Sequence, residues 1–182
     1  MRKVKSTMVT ETILSDDNER RFLIHKTWDS KLPSLAIIML NPTPSESVTI
    51  DHTTLYILNN CVELGFGSVS ILNLFSTINS AYETVTDKEN LDMIDRIVEK
   101  ADTVVYAPGT GKASNKSFQQ RENEVLNVLV KHEAKLKCIY DPIGNFPMHP
   151  LCPRVHNWTL KSTSVKSLLA KNPYSKQTQE EK

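Results

Sequence analysis

The chain predicts a three-layer α/β/α sandwich around a mostly parallel sheet, and three observations carry that expectation. Short apolar runs of strand length alternate with segments of helical spacing, the succession that places helices on both faces of a parallel sheet. The run Leu35 to Leu40 is apolar throughout, as in a strand buried on both sides. Four apolar-to-polar junctions follow one another along the chain: Leu40-Asn41-Pro42, Ile71 to Phe75, Tyr106 to Gly109 and His149-Pro150-Leu151. Three of them offer a hydrogen-bonding side chain where a buried strand ends, which is how an open α/β sheet builds a ligand pocket at its carboxyl edge.

Taken in order, Val9 to Ile13 and Arg21 to His25 alternate polar with apolar and read as an opening edge hairpin. Leu35 to Leu40 is a central strand, stopped where Pro42 cannot donate to a ladder. Between His52 and Leu64 the residues Leu55, Leu58, Cys61, Val62 and Leu64 recur at helical spacing, and Gly65 supplies a stop. Ser68 to Leu74 is a second buried strand. Asp87 to Lys100 is a helix with Leu91, Ile94, Ile97 and Val98 on one face. Thr103 to Ala107 is a third strand, Ser117 to His132 a third helix, and Leu136 to Tyr140 a fourth central strand. Residues 1–171 read as one domain, and 172–182, polar and of mixed charge, as a frayed tail.

Bulk properties exclude little. Of 182 residues 39% are apolar, and 22 basic residues face 21 acidic ones, so no global basic field announces nucleic acid. Cys61, Cys138 and Cys152 follow no paired spacing, and no apolar signal segment opens the sequence, so a reducing cytosol is the expected compartment. The longest apolar run falls far short of the roughly 20 residues that cross a bilayer.

If the sheet is parallel, Asn41, Asn73, Gly109 and the loop from Asp141 to Cys152 converge on one edge. An asparagine amide offers one acceptor and two donors in a plane, matching the edge of a nucleobase. Two such amides beside His149 describe a base-reading pocket. The competing reading is that each asparagine caps loop backbone and that His149 only stiffens its loop. Gly109-Thr110-Gly111-Lys112 lacks the spacer of a phosphate-binding loop and reads as a turn or a contact to DNA phosphates. Asp51, His52, Asp141 and His149 show no metal-ligand spacing, so neither metal nor cofactor is expected. Arg154, Lys161, Lys166, Lys171 and Lys176 fit a DNA-facing rim and equally a solvated helix face.

At each of these places the chain resembles the uracil-DNA glycosylase superfamily. Leu40-Asn41-Pro42 is similar to the water-activating motif of that family's mismatch-specific branch, which implies that Asn41 positions the attacking water. Ile71-Leu72-Asn73-Leu74 is similar to the run whose asparagine reads the uracil edge. His149-Pro150-Leu151 resembles the histidine-proline motif that steadies the leaving base, followed by a wedge, here Leu151. The resemblance also marks departures. Thr43 stands where a tyrosine would exclude thymine, and His52 is the nearest ring to the place of the stacking aromatic. Pro108 stands where relatives show tryptophan-glycine. A second resemblance, to the family called domain of unknown function 1643, rests on Arg21-Phe22 to Trp28, Ile38 to Pro42, Asn73 to Phe75 and Gly144 to Leu151.

These resemblances imply a glycosylase-like protein whose uracil excision is weak or lost. Asn41 and His149 would be its catalytic positions, Asn73, His52 and Thr43 its base contacts, and Leu151, Gly109 and Lys112 its DNA contacts. Partners implied are DNA, single-stranded or uracil-containing, and a DNA-mimicking glycosylase inhibitor protein. An active glycosylase for uracil or a modified pyrimidine, and a nucleotide-binding module without DNA contact, are the alternatives.

Overall fold

The computed structural model describes residues 1–44, 49–78, 87–109 and 116–171. Seven strands form one sheet: β1 (Val9–Leu14), β2 (Arg21–Thr27), β3 (Ser34–Met39), β4 (Ser68–Asn73), β5 (Thr103–Tyr106), β6 (Leu136–Tyr140) and β7 (Thr159–Ser162). Their spatial order is β1-β2-β4-β3-β5-β6-β7. The helices are α1 (His52–Glu63), α2 (Lys88–Lys100), α3 (Lys116–Leu129) and the short α4 (Val165–Leu169).

The expectation of a mostly parallel sheet is corrected. Three neighbour pairings are parallel, β4 with β3, β3 with β5 and β5 with β6, whereas β1 with β2, β2 with β4 and β6 with β7 are antiparallel. The sheet is mixed because antiparallel strands flank its parallel centre on both sides. One of these, β7, is mostly exposed and carries no apolar pattern from which it could be read.

Helix starts follow local chemistry. The Asp51 carboxylate accepts from the Thr54 N–H at 2.6 Å to open α1, Asp87 accepts from Asn90 N–H at 3.0 Å to open α2, and Ser164 caps α4 through Ser167 N–H at 3.0 Å. The segment expected to continue as helix to His132 instead tightens at Val130 into a 3-10 turn running to Lys135.

Side chains pack in two apolar layers. On one face Ile38, Leu72 and Val104 meet Ile94 and Val98 of α2 and Leu126 of α3. On the other Ile37, Ile71 and Val105 meet Ile57 and Cys61 of α1 together with Trp158. No helix among the described residues is long and apolar enough to cross a membrane.

Candidate functional site

Register decides which loops meet. Met39 lies beside Asn73 and Ile38 beside Tyr106 across the parallel strands. Beyond the last ladder pairs the strand ends stay joined: Leu74 N–H donates to Met39 C=O at 2.8 Å, Phe75 N–H to Leu40 C=O at 3.1 Å and Ala107 N–H to Ile38 C=O at 2.8 Å. Met148 N–H reaches Ile139 C=O at 3.0 Å, which brings the His149 loop to the same edge. The antiparallel β2 delivers its first residue there too, Arg21 N–H donating to Ser76 C=O at 2.8 Å.

Arg21 organises the cluster. Only 4% exposed, it donates from Nη1 to Thr43 C=O at 2.8 Å and from Nη2 to Asn73 Oδ1 at 3.4 Å. Burial lowers its pKa to about 10 against the opposing pull of Asp51, so it stays a cation at neutral pH. Asp51 in turn accepts from Thr43 Oγ1 at 2.5 Å. Its charge also reaches His149, whose pKa burial nevertheless holds below the ordinary 6.5. His149 is therefore a neutral imidazole at pH 7. Its Nδ1 accepts from Leu151 N–H at 3.2 Å, which leaves the ring proton on Nε2 as a donor.

Gly109 explains how His149 comes so close. With φ at +89° it adopts backbone that other residues rarely take, and a β-carbon there would lie 3.3 Å from His149 Cβ. Asn73 is 1% exposed, and among the described residues neither its Nδ2 nor the buried Oδ1 of Asn41 has a hydrogen-bond partner. Each such atom costs about 1–3 kcal/mol unless a ligand or water meets it. Asn90 holds the backbone around them, donating to the carbonyls of Asn73 at 3.0 Å and Leu74 at 3.2 Å.

Among the sequence-derived candidates, Arg21 joins Asn73 to Thr43, Asp51 couples electrostatically to His149, and Gly109 packs on His149. His52 is exposed at the start of α1, and Leu151 is 42% exposed beside its loop. Lys112 lies outside the described residues. A cavity of about 80 Å³ opens behind Gly109 toward Phe118, Glu122, Phe146 and Lys171, and neither Asn41 nor Asn73 lines it. Among the described residues no group of three or more His, Cys, Asp or Glu side chains is placed to hold a metal. In the sequence Arg21 marks only the start of a strand, and Asp51 only a metal-ligand candidate without the spacing. The available signal is the charged residue that opens the strand Arg21–Thr27.

Fold and site together define an α/β protein with a polar cluster at the carboxyl edge of its parallel strands. The chain belongs to the family described as protein of unknown function (DUF1643), which matches residues 21–151, a segment that opens on Arg21 and closes just past His149. No curated protein matches the chain. Among solved structures, it is similar to a hetero-hexameric glutamate dehydrogenase from Thermus thermophilus in its Leu-bound form, at 11% identity and a TM-score of 0.28. That alignment covers 72% of this chain and 32% of the dehydrogenase chain, and a likeness so loose carries no structural argument. The resemblance to uracil-DNA glycosylases is one of sequence motifs alone.

Proposed function

We propose that the cluster binds a nucleobase in the manner of the uracil-DNA glycosylase superfamily, with uracil excision weak or lost. The observation that supports this reading is a pair of amide atoms at one sheet edge that have no partner among the described residues, a donor on Asn73 and an acceptor on Asn41. An adjacent acceptor and donor, such as a pyrimidine carbonyl and ring N–H, is the ligand edge that would satisfy both. Neutral His149, with its Nε2 proton, is the group suited to steady negative charge on a departing base.

Weak chemistry follows from the residues around the water position. Asn41 orients a water but takes no proton, and a general base typically contributes about 10²- to 10⁴-fold. Asp51 is a carboxylate near enough to act on His149, yet its oxygens already accept from Thr43 and from Thr54 N–H. Thr43 leaves the pocket without the tyrosine wall, which would admit a larger pyrimidine. Leu151 and Gly109 would meet DNA, and a DNA-mimicking glycosylase inhibitor protein would dock over the same edge.

Fluorescence anisotropy with single-stranded oligonucleotides containing uracil or thymine tests the reading, alongside an assay for released base. Uracil-dependent binding that Asn73→Ala weakens by about tenfold, near 1.4 kcal/mol, is the expected result. Equal affinity for both oligonucleotides, unmoved by Asn73→Ala, removes base recognition. Binding of free uracil with no affinity for DNA at low or high salt would instead favour a small-molecule module.

A further inference from the structure

We propose a second ligand site at the amino edge of the sheet, built for a small zwitterion of amino-acid size. The feature is a cavity of about 200 Å³ between the sheet and the last turn of α2. Pockets for drug-sized ligands run to about 300–1,000 Å³, so this volume suits a metabolite smaller than a nucleotide.

Its floor is a polar row that strand register creates. Glu11 pairs with His25, and His25 pairs with Ser70, directly across β1, β2 and β4. The His25 ring is fixed from both sides, Nδ1 to Ser70 Oγ at 2.9 Å and Nε2 to Thr27 Oγ1 at 2.8 Å. Leu23 and Ile97 give the cavity apolar walls, and Lys100 closes it from α2.

Charge points to the ligand. Glu11 and Lys100 face one cavity with opposite signs, yet neither enters an ion pair, with the other or with any described residue. Lys100 is not needed to cap α2, because Lys135 Nζ already donates to the terminal carbonyls of Glu99 and Ala101 at 2.8 Å each. A bound zwitterion would satisfy both charges at once, its ammonium on Glu11 and its carboxylate on Lys100. Its apolar body would lie on Leu23 and Ile97, with the Ser70 hydroxyl beneath.

Titration of the ¹⁵N-labelled full chain with L-valine, isobutylamine and isovalerate tests the assignment, since the last two each keep one of valine's charges. Saturable shifts centred on His25, Ser70 and Ile97 are expected with valine. Each single-charge analogue, and each of the exposed variants Glu11→Gln and Lys100→Gln with valine, should bind about tenfold more weakly. Absence of saturable shifts with valine overturns the proposal. So does equal binding of isobutylamine or isovalerate, or valine affinity unchanged in both variants.

Discussion

At the scale of single residues, the buried Arg21 and Asn73 and the half-buried His149 govern the carboxyl-edge cluster. Burial lowers the pKa of His149 in spite of Asp51. Between that lowered value and the 6.5 of an ordinary imidazole, the unfolded chain binds a proton that the folded chain refuses. Stability therefore falls as pH drops through this window and levels off once both states are protonated. Thermal melts from neutral to mildly acid pH should show the decline, and His149→Gln should flatten that part of the curve. An unchanged slope in the variant would mean that another group carries the effect. Asn41, Asn73 and His149 were legible as candidates because each sits at a sharp apolar-to-polar junction. Arg21 is not legible in this way, since its importance comes from reaching Thr43 and Asn73, which are remote in sequence. No local pattern announces that.

At the scale of elements, side-chain amides do the joining. Asn60, only 5% exposed on α1, donates to His156 C=O at 3.0 Å and accepts from Trp158 N–H at 2.8 Å. It thereby ties the turn before β7 to a helix on one face of the sheet. Asn60→Ala leaves a buried N–H and a carbonyl unmet, and should cost about 2–3 kcal/mol in urea unfolding at unchanged m-value. A loss no larger than that of a surface substitution, within about 0.5 kcal/mol, would show that water replaces the amide. The apolar strands and the helices α1, α2 and α3 could be read because burial on a strand or a helix face imposes its own period. Two elements could not. β7 has no buried stripe, and α4 is five residues long with only Val165 and Leu168 buried, too short for a period to repeat.

For the whole molecule, the mixed sheet sets a gradient of stability. Strands β3, β4 and β5 are almost wholly buried between the two apolar layers, whereas β1 and β7 are edges. Amide exchange should be slowest for Ile37, Ile71 and Val105 and fastest in β1 and β7, and uniform protection across all seven strands would contradict that gradient. The same arrangement separates the polar cluster where the parallel strands end from the cavity where they begin. By itself the sequence determined the α/β class, the succession of strands and helices from β1 to β6 and the polar residues at the strand ends. Those properties are set by local periodicity and by the residues that stop each element. Tertiary structure alone decided that β2 runs antiparallel to β4 and β7 to β6, that Arg21 bridges Thr43 and Asn73, and that Glu11, His25 and Ser70 form one row. Each depends on register between segments far apart in the chain, and register is a property of packed strands rather than of any one of them.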